Sequence, residues 1–252
     1  MEKAERKGSW ITDAYLASYI ENTFEETVAE GELMFSYITT FQNHMSYTAD
    51  KYGEGYEYPM VEASLQLSPE AETALSVYID GLRDADAMLK VLKDYFSASE
   101  EPVLLVFFGD HLPSLSSGNG VYGELGITID SSSTLPQEYY YAYSTPYLIW
   151  ANDAAAETLD WEQTVRDLAL PENGSISACY LGAMLLELTG HSEGSPWFSY
   201  LNELRRELPV VRNGSYMTAE GTLTFSPTET QEKLISKWRN WSYYKLREEE
   251  VG

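Results

Sequence analysis

The stretch that decides the fold is Pro102-Val103-Leu104-Leu105-Val106-Phe107-Phe108-Gly109-Asp110-His111-Leu112. Its core, Val103 to Phe108, is an unbroken apolar run bounded by Pro102 and Gly109. A run of this length between breakers reads as a strand buried on both faces. In open α/β sheets, ligands bind outside the carboxyl ends of the strands. Asp110 and His111 stand at that position. The glycine before them lets the backbone turn sharply, so adjacent side chains can converge on one point. Asp oxygen and His nitrogen suit Mn²⁺, Zn²⁺ or iron. The plain alternative is that Asp110 caps the following turn and His111 is an ordinary loop residue.

Helices and further strands flank this run. Upstream, Ser68-Pro69-Glu70 is a strong helix start, with an N-cap hydroxyl, proline at the first helical position and an acid for the dipole. Ala71, Leu75, Ile79, Leu82, Leu89, Leu92 and Phe96 then recur at helical spacing. Thr12 is an N-cap for an earlier helix that Gly31 ends. Leu33 to Phe41, rich in β-branched and aromatic residues, reads as a strand, followed by a polar loop to Tyr58. Downstream, Gly118 to Ser133 reads as a loop and Pro146 to Ala151 as a second buried strand. Helices are expected over Ile176–Leu188, with Gly190 at C′, and over Pro196–Glu207. Val210 to Thr224 reads as a hairpin turning near Ala219-Glu220-Gly221. Ser226-Pro227 is expected to launch a last helix to Glu248. Helices alternating with buried strands imply an α/β fold: an αβα sandwich with a mostly parallel sheet, closed by the small C-terminal hairpin and helix. No internal repeat or domain boundary stands out over 1–252.

Composition narrows the function. The 252 residues carry 16 Lys+Arg against 40 Asp+Glu, a net charge of −24, with 44% hydrophobic residues. That supports a sizeable core and argues against nucleic acid, whose binding relies on cations neutralising phosphates. A single cysteine, Cys179, leaves no internal disulfide or cysteine-based zinc cluster. No apolar run approaches the ~18 residues of a spanning helix, and MEKAERKGSW is not followed by the apolar core of a signal peptide. There is no Walker loop, dinucleotide glycine fingerprint or Gly-x-Ser-x-Gly elbow.

Other candidates carry less. His44, in Gln42-Asn43-His44-Met45, follows the Leu33–Phe41 run and is placed to meet a phosphate or sulfate oxygen; a solvated loop histidine is the plain alternative. His191 reads as a helix-end residue. Thr39 and Thr40 are ordinary strand threonines. The cluster Tyr139-Tyr140-Tyr141 with Tyr143 suits either a sugar- or lipid-facing surface or half-buried packing. The Asn-x-Ser patterns at Asn173, Asn213 and Asn240 are of a kind frequent by chance.

Five segments, taken in order, resemble a known family. They are Thr12-Asp13-Ala14-Tyr15-Leu16, Phe35 to His44, Phe107 to Ser114, Tyr143 to Asn152, and Ile176 to Gly182 with the helix after it. Together they resemble the C-terminal part of the catalytic domain of lipoteichoic-acid-synthase-like phosphoglycerol transferases, in the sulfatase and alkaline-phosphatase superfamily. The resemblance implies a partial alkaline-phosphatase-like domain over 1–252. It implies a divalent metal, usually Mn²⁺, with Asp110 and His111 among its ligands, and contact of His44 with a glycerol-phosphate group. In such enzymes a metal-bound threonine attacks a phosphatidylglycerol-type lipid, and the phosphoglycerol group then passes to a glycan or polymer acceptor.

The family's nucleophilic threonine and acidic ligand lie upstream of anything matched here, so Thr12, Thr39 and Thr40 are not given that role and the chain alone is expected to be inactive. A smaller departure is Met45-Ser46-Tyr47, where the family tends to have proline before the aromatic. The full-length protein is expected to be anchored at the extracellular face of a bacterial membrane. The competing expectations are a non-catalytic remnant or partner-binding half, and a related sulfatase or phosphodiesterase.

Overall fold

The structure is a computed structural model that describes residues 4–116, 118, 120–130, 132–212 and 214–248. Asn213 and the first three residues of MEKAERKGSW lie outside these. The described chain forms two compact units. One comprises the chain to Ile129 together with Thr145–Asn152; the other comprises Asp130–Ser144 and the chain from Asp153.

In the first unit a short ribbon, β1 (Arg6–Lys7) and β2 (Trp10–Ile11), precedes helix α1 (Asp13–Ala29). Thr12 caps α1 as expected, its hydroxyl accepting from the Tyr15 amide at 3.1 Å, and Gly31 lies just past the end at φ +72°. Helix α2 (Pro69–Ser97) starts where the Ser-Pro-Glu signal places it. The Ser68 hydroxyl accepts from the Ala71 amide at 3.2 Å, and Glu124 in turn takes both the Ser68 amide and hydroxyl, at 2.7 and 2.8 Å. The buried stripe of α2 is turned from the expected one. Gly81 and Met88 face inward with Ala71, Leu75, Leu92 and Phe96, whereas Leu82 is exposed. The helix packs on two clusters with different lines of contact, so no single heptad describes it.

Strand β3 (Leu104–Phe108) follows, then α3 (Gly120–Glu124) and, after the excursion of the chain, β4 (Tyr147–Ala151). β3 and β4 pair antiparallel, Leu104 opposite Ala151 and Phe108 opposite Tyr147. This corrects the expected mostly parallel sheet: every strand pair among the described residues is antiparallel. The reason lies in the connection. A parallel pair needs a crossover that carries the chain back along the sheet. Here the Gly109 amide still bonds Pro146 O at 3.2 Å, so the chain returns at the end it left. Burial on both faces is also not found. Val103, Leu105 and Phe107 join Trp150 against Met88, Leu92 and Phe96, while all five β3 residues stay partly exposed.

The expected Leu33–Phe41 strand is not formed. The segment is irregular, and Leu33, Phe35, Tyr37 and Phe41 are exposed. Side chains of this type favour a strand only where a neighbouring strand pairs with them. Tyr37 lies beside Phe108, ring centroids 6.5 Å apart, with no ladder between the backbones.

The second unit holds α4 (Pro136–Tyr141), α5 (Asp153–Thr158), α6 (Trp161–Asp167), α7 (Leu181–Leu188) and α8 (Pro196–Glu207). A three-stranded sheet of β5 (Val210–Arg212), β6 (Ser215–Met217) and β7 (Leu223–Thr224) precedes α9 (Glu229–Glu248). The expected hairpin is thus two turns rather than one. The helix expected over Ile176–Leu188 is a 3₁₀ turn, Ala178–Tyr180, leading into α7; Gly190 follows at φ +73°. The final helix is started by Thr228, not by Ser226. The Thr228 amide donates to Gln231 Oε1 at 2.9 Å and its hydroxyl accepts from the Gln231 amide at 3.3 Å, a capping box. Tyr180, Leu201, Leu204, Leu208 and Ile235 form the core. Within it Arg205, fully buried, donates to Leu168 O at 2.6 Å and to Glu187 at 2.7 Å.

Candidate functional site

Asp110 and His111 follow β3 directly. Gly109 is where Thr145 approaches the backbone closely. A Cβ there would stand 3.1 Å from Thr145 Cβ, and Thr145 Oγ1 donates to Gly109 O at 2.7 Å. The two residues after it are therefore held at the strand end while their side chains reach solvent, Asp110 at 80% and His111 at 55% exposure. Asp110 Oδ1 accepts from the His111 amide at 2.9 Å, which leaves Oδ2 turned toward His111 Nε2 at 3.7 Å. His111 Nδ1 lies 2.7 Å from Leu112 O. A ring nitrogen beside a carbonyl is the N–H donor, so in the neutral ring the lone pair sits on Nε2.

His44 comes to the same place from a different element. Its ring meets that of His111 edge-on, centroids 6.3 Å apart, between Phe41 at 6.2 Å and Trp10 at 6.3 Å. Its Nδ1 lies 3.0 Å from Met45 O, which again leaves Nε2 as the outward atom. The three residues singled out in the sequence are thus brought together in the first unit.

What holds His44 was not visible in the sequence. Asn43 inserts against α2 at Gly81, where a Cβ would stand 2.1 Å from Asn43 Oδ1, and its Nδ2 donates to Tyr78 O at 3.3 Å. Gln42, buried, accepts from the Asp13 amide at 2.7 Å and donates to Asp84. Lys51 donates to His44 O and lies over the rings of Tyr47, Trp10 and Tyr52, 4.8, 5.1 and 5.5 Å from their centroids. Burial, then the like charge of Lys7, lowers its ammonium pKa to about 8. Beneath, Lys7 bridges Asp80 at 2.7 Å and Asp84 at 2.6 Å. Burial alone would pull Lys7 down, but these two acceptors outweigh it and hold the pKa above its ordinary value. Neither Lys51 nor Gly81 belongs to a motif, and both act only through tertiary contacts.

The remaining candidates fall elsewhere. Thr12 is a cap, and Thr39 and Thr40 lie in the irregular segment. His191 follows Gly190, its amide bonded to Leu186 O at 2.7 Å. The tyrosine cluster is divided between contacts and solvent: Tyr140 bonds Ser175 at 2.6 Å, Tyr139 meets Tyr143 and, edge-on, Phe225, and the Arg212 guanidinium lies 3.3 Å from the Tyr143 centroid, while Tyr141 and Tyr143 stay exposed. Asn173 caps its own turn, accepting from the Ser175 amide at 3.1 Å.

A divalent metal can be tested against this geometry. Two ligands each ~2.1 Å from one tetrahedral ion stand ~3.4 Å apart, close to the observed 3.7 Å between Asp110 Oδ2 and His111 Nε2. The donor types and the fixed tautomer fit as well. No group of three or more His, Cys, Asp or Glu able to hold a metal occurs among the described residues, so a metal here would need ligands beyond this pair.

The comparisons with known proteins give the family. The family model described as Sulfatase matches residues 6–191. The chain belongs to the sulfatase family. It is 27% identical over 194 residues, 76% of its length, to a Rhizobium meliloti (strain 1021) protein provisionally named for cyclic beta-1,2-glucan modification. It is 29% identical over 115 residues, 46% of its length, to the capsular polysaccharide biosynthesis protein RkpI of the same organism. The chain spans 27% of the first relative and 18% of the second. No solved structure matches it. No helix among the described residues is long and apolar enough to cross a membrane.

Proposed function

We propose that this chain is part of a metal-dependent phosphoglycerol transferase that modifies a cell-envelope glycan, taking the group from a phosphatidylglycerol-type lipid. The observation that carries the reading is the convergence of His44 on the Asp110–His111 pair at the end of β3. Membership of the sulfatase family and the names of both relatives support it.

In this reading Asp110 Oδ2 and His111 Nε2 hold the metal, Mn²⁺ or another divalent ion. When bound, it supplies charge neutralisation for the transferring phosphoryl group and lowers the pKa of the attacking hydroxyl. Asp110 also fixes its neighbour through the His111 amide, and Leu112 O fixes the tautomer. His44 Nε2 accepts a glycerol hydroxyl when neutral and donates to a phosphate oxygen when protonated. Lys51, bonded to His44 O, holds the loop that carries it. The nucleophile and remaining ligand are assigned to an upstream segment of the whole protein, which we place at the outer face of the membrane.

The test is calorimetric titration of the chain with Mn²⁺. Stoichiometric binding that falls at least tenfold in both Asp110→Ala and His111→Ala supports the reading. Equal binding in the parent and both variants overturns it. A second reading, a non-catalytic half that binds a glycan or protein partner, is favoured by the fact that two ligands rather than three converge among the described residues. It predicts no cleavage of a phosphatidylglycerol analogue when the chain is produced with its upstream segment.

A further inference from the structure

A cavity of about 480 Å³ opens beside the site in the first unit, within the ~300–1,000 Å³ range of small-molecule sites. Three walls form it: the loop Met45–Ala49 directly after His44, the first turn of α2 at Glu70, Thr73 and Ala74, and the loop Ser114–Ser116 just beyond His111. It is thus flanked in sequence by both halves of the candidate site. Tyr47, on its wall, donates its hydroxyl to Asn43 O at 2.9 Å, directly before His44. Burial, then the neighbouring Tyr78, Tyr122 and Tyr52 and the Asp110 carboxylate, hold its phenol above the ordinary range.

The chemistry of the lining is specific. Ser46, Thr48, Thr73, Ser114 and Ser116 offer hydroxyls, and Glu70 offers a carboxylate. Among the described residues, no Lys, Arg or His lines it. Among the described residues the hydroxyls of Ser46 and Ser114 make no hydrogen bond, and Tyr47, Leu115 and Ala74 supply apolar surface between the polar groups. A phosphate would meet an anion and no cation there, in a chain whose net charge is −24. An uncharged polyol meets hydroxyl donors and acceptors, one strong acceptor, and apolar surface for its C–H faces.

We infer that this cavity is the acceptor subsite and that it takes a neutral sugar of a glycan, not a growing poly(glycerol phosphate) chain. The inference rests on the proposed transfer reaction for the word acceptor; the binding itself does not. In this inference the bound sugar presents a hydroxyl to the site of His44 and His111, the residues that precede two of the cavity's walls in sequence. In the transfer that hydroxyl oxygen forms the new O–P bond as the bond from phosphorus to the enzyme nucleophile breaks. Its proton passes to the departing nucleophile oxygen.

The experiment is an NMR titration of the ¹⁵N-labelled chain with sophorose, the β-1,2-linked glucose disaccharide, and separately with a glycerol-phosphate trimer. Saturable sophorose shifts confined to the Met45–Ala49, Glu70–Ala74 and Ser114–Ser116 amides are expected, with none from the trimer. Thr73→Arg, on an outer turn of α2, should weaken sophorose at least tenfold; Ser114→Gln fills the cavity from the opposite wall and should do the same. Glu70→Lys should weaken sophorose and admit the trimer. Absence of sophorose shifts at these amides, trimer binding to the parent there, or parent-like sophorose binding by folded Thr73→Arg and Ser114→Gln each overturns the inference. A Mn²⁺ titration of the same sample scores the metal site separately: sugar binding without metal binding removes the transferase reading and leaves the subsite, and the converse removes the subsite alone.

Discussion

Asn43 occupies the space on α2 that a side chain at residue 81 would need, its Oδ1 lying 2.1 Å from where a Cβ on Gly81 would be. In most helix interiors Gly→Ala stabilises by ~1 kcal/mol. Here the methyl group would displace Asn43, and with it the loop that carries His44. Gly81→Ala is therefore expected to destabilise by ~1–3 kcal/mol. Denaturant unfolding gives the sign, and His44 ring resonances should move in the same variant. A stabilised protein with unmoved His44 would show that Asn43 yields freely.

Asp13 gives a pH-dependent prediction. It is 1% exposed at the first position of α1, and its Oδ1 has no hydrogen-bond partner among the described residues. Burial, then the Asp84 carboxylate, raises its pKa from 3.8 to about 6, against the opposing effect of Lys7. The raised value means that the fold disfavours the ionised form. The penalty is absent below pH 4, grows between 4 and 6, and is complete above. Asp13→Asn should therefore gain ~1–2 kcal/mol at pH 7.5, after allowing ~0.5 kcal/mol for the lost charge at the helix start, and nothing at pH 4. Unfolding curves at the two pH values check it.

Lys51 titrates in the opposite sense. Its pKa is lowered from 10.5 to about 8 by burial and then by Lys7. The fold disfavours the ammonium form, so this group's penalty is present below pH 8 and is relieved as pH rises toward 10.5. NMR of the methylated lysines should show one resonance, assigned by Lys51→Arg, with a midpoint about 8. A midpoint at the ordinary lysine value would mean that the aromatic faces and His44 O compensate the burial.

A fourth prediction concerns Asn152, which is 1% exposed at the end of β4. Its Oδ1 accepts from the Val103 amide at 2.9 Å, and its Nδ2 donates to Phe96, Ser99 and Glu101 carbonyls at 3.2, 3.3 and 2.8 Å. Asn152→Ala leaves these groups unpaired and is expected to cost ~2–4 kcal/mol. Asn152→Asp keeps the acceptor but turns a buried carboxylate oxygen toward those three carbonyls, and should cost more than Asn152→Ala at neutral pH.

The parts of the fold legible in the sequence are those decided locally. Thr12 and Ser68 announce α1 and α2 because a cap bonds amides three residues away. Pro196 to Glu207 is helical over the span its pattern predicts. Strand pairing is decided by distant residues, and there the reading fails: β3 and β4 run antiparallel, and Leu33–Phe41 forms no ladder. The site divides the same way. His44, Asp110 and His111 are visible because each follows an apolar run at a loop. Gly81, Gln42 and Lys51 are not, since nothing near them in the chain hints at what they touch.

Asn152 joins the end of α2, the start of β3 and the end of β4, while Asp110 and His111 lie past the other end of β3. Side chains alternate along a strand, so a slip of one residue between β3 and β4 would turn every one of them to the opposite face. The aim of the Asp110–His111 pair is thus set like a rifle sight, from the far end of the barrel. An amide some seven residues away, about 23 Å at ~3.3 Å per residue, decides where the two side chains point. Evolution or engineering could remove this alignment without touching the site itself.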